Sequence, residues 1–253
     1  IADKVGMTLR RVEHLGISDA IIIGLAQVLA LVNTAAGAFN ADSVAALDTC
    51  RASLQELNSL LLGVPGAIAL LESPGLSAEI AAQLDPLMQT LTTAADDAVA
   101  SGEIIAEDLN AARRAIKDVL WAILRDRLSV PEGIRALGGA GESAAVITAL
   151  CSVHDALSAL DRLEVRGRDS LGLHLFVSGH GQDLDEPALA RAISDRGGDP
   201  SFVNNAVRRV GDVVSFVYKE SAEIGELGDN TAALRRAIAA DELLVRLLTN
   251  DGA

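Results

Sequence analysis

Cysteine is scarce in this sequence, which contains only Cys50 and Cys151 among its 253 residues. Two cysteines cannot form the disulfide framework of a small secreted protein, so we expect a reduced, cytoplasmic setting. The sequence gives no support for a structural zinc site either. We therefore predict no metal and no cofactor.

Long apolar runs and basic patches are also missing. The most apolar run, Ile21 to Val32, is too short to span a bilayer, and we interpret it as a buried helix. Lys and Arg number 21 against 35 Asp and Glu, and the resulting net charge of −14 would repel nucleic acid and anionic lipid. We expect neither a nucleic-acid partner nor a membrane. Residues 1–16 carry no pattern that we can interpret.

The apolar residues make up 50% of the chain, enough for a buried core, and their spacing changes along it. From about Ala41 to Glu164 they recur three and four residues apart, which predicts a bundle of amphipathic helices. The alternation over Leu171–Val177 predicts a strand. We predict an α+β fold, predominantly α-helical, with a helical domain at 1–141 and a second domain at 142–253.

Three further elements are predicted in the second domain. The run 213–218, rich in β-branched and aromatic residues, predicts a buried strand. A short helix is expected from Glu186 to Asp195. A last helix is expected to be capped by Asp229 or Asn230, whose side chains can accept from free backbone N–H groups, and to continue through Leu244.

One segment carries a recognisable motif at the change from helix to strand. Residues 162–172 read Arg-Leu-Glu-Val-Arg-Gly-Arg-Asp-Ser-Leu-Gly. This segment resembles the helix-to-strand junction of class II glutamine amidotransferases, and most closely that of the glucosamine-6-phosphate synthase kind. That family reads Arg-Leu-Glu-Tyr-Arg-Gly-Tyr-Asp-Ser-Ala-Gly, from which this sequence differs at Val165, Arg168 and Leu171.

The resemblance assigns five motif residues to the glutamine pocket or its support. They are Arg166, Gly167, Asp169, Ser170 and Gly172. The family's arginine, matched by Arg166, helps to hold the catalytic N-terminal segment and the glutamine pocket in place. Gly167 allows a tight turn, and the side chains of Asp169 and Ser170 can bond to the turn's backbone. A helix end with an exposed arginine is the plainer alternative.

The resemblance also implies a fold and a reaction. Family members are N-terminal-nucleophile hydrolases with an αββα sandwich, in which a terminal cysteine attacks the glutamine amide and its own α-amino group acts as the base. Such an amine has a pKa of about 8, low enough to accept a proton near neutrality. The sequence starts with Ile1, so we expect the nucleophile to precede it and assign no catalytic residue to this chain.

The remaining family features are also expected outside this sequence. The family's glutamine-binding His-Thr-Arg-Trp segment does not occur before Ala253, and the sugar-phosphate isomerase domains are absent. The resemblance implies that the full-length protein uses glutamine and a sugar phosphate, with fructose 6-phosphate as the acceptor, and it is compatible with a homo-oligomer. The helices of residues 1–141 are then an insertion between the nucleophile strand and the motif helix.

Cys151 and His154 lie one helical turn apart, which invites interpretation as a catalytic or metal-binding pair. Two residues on one helix do not make a site, and we predict that Cys151 is packed in the core.

Two other functions compete with the sugar-phosphate amidotransferase. A phosphoribosyl-pyrophosphate-type amidotransferase shares the Arg-Gly-x-Asp pattern but resembles Arg162-Leu163-Glu164 less. A non-enzymatic helical scaffold or interaction protein would carry the motif by chance, and the absence of a nucleophile would favour it if this sequence were the complete protein.

Overall fold

A computed structural model describes the chain over seven ranges. They are residues 16–30, 43–101, 106–139, 143–164, 170–199, 203–221 and 228–248. The chain divides into two compact units, Ile1–Pro131 (unit 1) and Glu132–Ala253 (unit 2). The predicted division after residue 141 lies a short distance beyond this one.

Unit 1 is helical throughout its described residues. Its elements are α1 (Gly16–Ala30), α2 (Ser43–Leu60), α3 (Gly63–Glu72), α4 (Leu76–Ser101), α5 (Ala106–Trp121) and a π-helical turn at Ala122–Arg127. Helix α4 continues through Pro86, and the π-turn is closed by the Leu128 N–H, which donates to the Ile123 carbonyl at 3.0 Å. The next helix, α6 (Val130–Ala136), contains the boundary between the two units.

The apolar stripes predicted from the sequence form the core of unit 1. Buried side chains on α2 recur at Leu47, Cys50, Leu54 and Leu57, and those of α1, α4 and α5 pack against them. The interpretation of α1 as a buried helix holds for one face only, because Ile22 and Ile23 are 46% and 59% exposed. Helix α3 and the π-turn were not predicted.

Unit 2 combines helices with a small antiparallel sheet. After α6 come α7 (Ala144–Glu164), β1 (Leu171–Val177), α8 (Pro187–Asp195), β2 (Val207–Val210), β3 (Val213–Glu220), α9 (Asp229–Ala239) and α10 (Glu242–Leu248). The strand order is β1-β3-β2. A mostly helical α+β fold is therefore confirmed.

The sheet register follows from a tight hairpin. Val210 lies opposite Val213, so β2 and β3 are joined by Gly211 and Asp212 alone. Gly211 has a φ of 60°, the left-handed conformation that two-residue hairpin loops demand. On the other side of β3, Leu171 pairs with Glu220 and Val177 with Val214.

Two details of unit 2 correct the sequence predictions. The expected last helix is two helices, because the Asp241 side chain accepts from the Leu243 and Leu244 N–H groups and starts α10. Neither Asp229 nor Asn230 caps α9, whose N-cap is Gly228 with a φ of 96°. Strand β2 was not predicted at all.

Helix α7 has the length and composition of a membrane span over Ala144–Leu163, with a mean hydropathy of 1.3. Its apolar positions Val146, Leu150, Val153 and Leu157 are buried within the protein. The same pattern is found in the core helices of globular domains.

The core of unit 1 predicts a contrast between two leucines. Leu54→Ala should lower the free energy of unfolding by about 2–5 kcal/mol, because Leu54 is fully buried and the change leaves a cavity. Leu62→Ala should change it by less than about 0.5 kcal/mol, since Leu62 is 53% exposed. Urea unfolding measures both, and equal losses would contradict the packing described here.

Candidate functional site

The predicted helix-to-strand junction is confirmed: α7 ends at Glu164 and β1 begins at Leu171. Of the five motif residues, the structure describes Ser170 and Gly172. Ser170 is exposed immediately before β1, and Gly172 lies in β1 opposite Lys219. Arg166, Gly167 and Asp169 lie outside the described residues. The structure therefore describes the two ends of the motif, in α7 and β1.

Alternate residues of each strand place their side chains on opposite faces of the sheet. We call the face that carries His174 and Phe176 the outer sheet face. By register it consists of Gly172, His174 and Phe176 of β1, Val213, Ser215, Val217 and Lys219 of β3, and Arg208 and Val210 of β2. Phe176 and Val210 are each 67% exposed. The Phe176 ring lies 4.2 Å from the His174 ring, centroid to centroid.

The opposite, inner sheet face is buried along β3. Val214, Phe216 and Tyr218 of β3 are at most 1% exposed, and both α7 and α9 contact the sheet. The two faces differ at the outer strands: on the outer sheet face Ser215 and Val217 of β3 are buried, whereas Phe176 of β1 and Val210 of β2 are largely exposed.

A buried ion pair holds the inner face to the helices. The Arg196 Nη1 donates to Asp241 Oδ1 at 2.7 Å, and the Tyr218 hydroxyl donates to Asp241 Oδ2 at 2.7 Å. Burial alone would favour the neutral acid, but the hydrogen bonds from Arg196, Tyr218 and the Leu244 N–H hold the pKa of Asp241 below its usual range. Sequence reasoning missed this cluster, whose members come from three separate segments.

A second buried cluster joins α7 and α9. His154 is 6% exposed, its Nδ1 lies 3.4 Å from Arg235 Nη1, and its Nε2 lies 3.4 Å from the Ser158 hydroxyl. Arg235 Nη1 also donates to the Gly133 carbonyl at 3.1 Å. A Cβ at Gly133 would overlap the His154 ring, so this glycine is required for the packing. Burial and the Arg235 guanidinium lower the pKa of His154, against a smaller effect of Asp155.

The environments of the two cysteines do not favour a reactive thiolate. Cys50 and Cys151 are both buried, and burial raises the pKa of each thiol to about 11, so both are protonated near neutrality. The prediction that Cys151 is packed in the core is confirmed. The ring nitrogens of His154 face Arg235 and Ser158. Among the described residues, no three His, Cys, Asp or Glu side chains come together as a metal site would require.

Comparison of the chain with protein-family models, with curated proteins and with solved structures gave no match. The function must therefore be argued from the residues and their arrangement.

The His154 cluster predicts a pH-dependent stability. The pKa of His154 in the folded protein lies below its ordinary value of 6.5, so the folded protein takes up this proton less readily than the unfolded chain. The contribution of His154 to stability is therefore complete above pH 6.5 and is lost as the pH falls from 6.5 toward the folded-state pKa. Thermal unfolding followed between about pH 7.5 and about pH 5.5 should therefore show a decline in stability that His154→Gln reduces. His174→Gln, on the exposed outer sheet face, is the matched control and should keep the decline. An identical decline in all three proteins would remove His154 as its source.

Proposed function

We propose that this chain is part of a class II glutamine amidotransferase. The full-length protein would hydrolyse glutamine to glutamate and ammonia and transfer the ammonia to a sugar phosphate, converting fructose 6-phosphate to glucosamine 6-phosphate in the cytoplasm. The observation that supports the proposal is the motif of residues 162–172, which begins in the last residues of α7 and ends in the first residues of β1. In the family it resembles, the motif occupies the same helix-to-strand position.

The chemistry assigns a supporting role to the motif and the nucleophile to a residue outside this sequence. A terminal cysteine would attack the glutamine amide carbon while its α-amino group takes the thiol proton and passes it to the departing ammonia. Water would then hydrolyse the resulting γ-glutamyl thioester to glutamate and restore the thiol. Cys50 and Cys151 are unsuited to that step, since each is a buried, protonated thiol with an amide nitrogen in place of a free amine. Arg166 would position the pocket through its fixed array of donors, which suits a carboxylate or carbonyl group.

The outer sheet face supports the αββα sandwich that this function requires. A sheet covered by helices on one face and carrying an exposed Phe176 and Val210 on the other is suited to packing against a second sheet. Gly172 adds to this argument. A Cβ there would make only ordinary contacts within unit 2, and the backbone is not left-handed, so the unit itself does not need glycine. Glycine inside a strand is common where another backbone approaches closely.

A helical scaffold or interaction protein is the second candidate function. It is favoured by large apolar side chains exposed on the helices of unit 1 and in the turn before α3. Ile23, Leu62 and Trp121 are each more than half exposed. Such side chains are typical anchors for partner proteins. In a scaffold protein the motif would have no catalytic role. Glutaminase activity therefore separates the two candidate functions.

The first test is glutaminase activity. The full-length protein should release glutamate from glutamine, and Arg166→Ala should lower kcat/KM by about 100-fold or more, as expected when a pocket is mispositioned. Arg168→Ala is the matched control, because Arg168 stands where the motif departs from the family, and it should remain near the activity of the unchanged protein. Glutamate release is measured by a coupled dehydrogenase assay.

No glutamate release by the intact full-length protein would favour the scaffold. Full activity in Arg166→Ala would remove Arg166 from the site even if the protein is a glutaminase.

The second test asks whether the outer sheet face is covered in the full-length protein. Phe176→Asp should cost about 3 kcal/mol or more of unfolding free energy, because the sandwich would bury the new carboxylate between two sheets. Leu62→Asp places the same charge at an exposed position of unit 1 and should cost less than about 0.5 kcal/mol. Urea unfolding of both variants gives the comparison. A Phe176→Asp protein as stable as the Leu62→Asp protein would contradict the sandwich.

A further inference from the structure

Strand β1 forms one edge of the sheet, because β3 is the one described strand that pairs with it. Its sequence, Leu-Gly-Leu-His-Leu-Phe-Val, contains no Asp, Glu, Lys, Arg or Pro, and its register with β3 runs through all seven residues without a bulge. Natural proteins protect sheet edges with charges, prolines, bulges or very short strands, since unpaired N–H and C=O groups accept another strand. Strand β1 uses none of these protections.

The opposite edge of the sheet is protected. Strand β2 has four residues, Val-Arg-Arg-Val, and both of its arginines are exposed. Its first residue, Val207, already forms a bridge with Gly197. A second copy of the chain pairing along this edge would bring arginines together, and like charges on neighbouring strands are destabilising. The charge distribution therefore selects β1 as the edge at which a second copy can pair.

Strand β1 is complementary to itself in one antiparallel register. A register centred on His174 pairs all seven residues of two copies and keeps their outer sheet faces on the same side of the sheet. On that face Phe176 would lie opposite Gly172 of the second copy. An aromatic side chain opposite a glycine covers the backbone that the glycine leaves open. This pairing gives the exposed Phe176 an apolar contact and gives Gly172 a reason to lack a side chain.

The inner-face residues of β1 are also suited to this register. It pairs Leu171 with Val177 and Leu173 with Leu175 of the second copy, so every pair on this face is apolar. The three leucines are half-buried in a single copy, where α7 and α9 contact β1. A second strand at the edge would extend their apolar burial, and the two backbones would exchange about six to eight hydrogen bonds.

We propose that two copies of this chain associate through their β1 strands, paired antiparallel about a two-fold axis at His174. The two three-stranded sheets then form one continuous sheet in the order β2-β3-β1-β1-β3-β2. Such an interface is closed, because the edges that remain are the β2 strands with their exposed arginines. The dimer goes beyond the proposed glutaminase function, since it uses the edge of the sheet rather than the covering of its outer face.

Sedimentation velocity of the full-length protein over a concentration series tests the dimer. A salt concentration of about 0.15 M screens the repulsion between two acidic chains. The protein should sediment as a dimer. His174→Lys should raise the dissociation constant about 10-fold or more, because it places two ammonium groups opposite each other at the centre of the interface. Val210→Lys is the matched control, since it adds the same charge to the outer sheet face at the β2 edge, and it should leave the constant unchanged.

Crosslinking locates the interface and remains decisive if His174→Lys does not fold. His174→Cys should give a covalent dimer with a short bismaleimide, because opposite Cβ atoms of paired strands lie about 4.5–5.5 Å apart. Cys50 and Cys151 are 0% and 7% exposed, which leaves the new thiol as the reactive one. Val210→Cys is the matched control. Val210 is 67% exposed at the far edge, about 24 Å from its counterpart in the dimer, and should crosslink little.

Three results would overturn the proposal. They are a monomer throughout the concentration series, an unchanged dissociation constant in folded His174→Lys, and no more crosslinked dimer from His174→Cys than from Val210→Cys. Arg166→Ala should still form the dimer. A monomeric protein that releases glutamate would remove the dimer alone, whereas a β1-linked dimer without glutaminase activity would remove the proposed function alone.

Discussion

The Asp241 carboxylate is the point on which the arrangement of unit 2 depends. An ionised carboxylate that is this deeply buried is unfavourable unless its oxygens are fully hydrogen-bonded. Here the donors come from Arg196 beyond α8, Tyr218 in β3 and the first turn of α10. The need to satisfy one charge thus fixes the end of α8, the inner sheet face and the start of α10 relative to one another. The same constraint fixes the Arg196 guanidinium beside the Asp241 carboxylate.

The same residue explains where sequence prediction failed. The apolar spacing through Leu234, Ile238 and Leu244 continues across Asp241, and spacing alone therefore predicts one helix. The side chain of Asp241 instead takes up the backbone donors that a continuing helix would bond internally. Aspartate followed by glutamate is a weak local signal of a helix start. Its strength here comes from the tertiary contacts with Arg196 and Tyr218, which no local pattern reveals.

The long helices and β1 were predictable because their burial is periodic, and β3 because it is a run of β-branched and aromatic residues that is almost continuously buried. Helix α2 buries one residue in every three or four, and β1 alternates regularly, as an element covered on one side must. Strand β2 was missed because its sequence, Val-Arg-Arg-Val, pairs with β3 alone among the described strands and exposes both arginines. In the candidate site, the sequence predicted the helix before the motif and the strand after it. The buried clusters around His154 and Asp241 join residues far apart in the chain, and they could not be found without coordinates.

The contrast between the two sheet faces limits where glutamine chemistry could take place. On the helix side, the buried Asp241 and His154 are tied into contacts with Arg196, Tyr218 and Arg235, and the buried Cys151 holds its proton well above neutrality. A substrate on that side would have to break contacts that hold the unit together. The outer sheet face imposes no such cost, since Gly172 offers no side chain and Phe176 stands largely exposed. A layer added there would bury the apolar side chains of Phe176 and Val210. The proposed amide-cleaving site would therefore lie between the outer sheet face and the layer that the proposed sandwich adds.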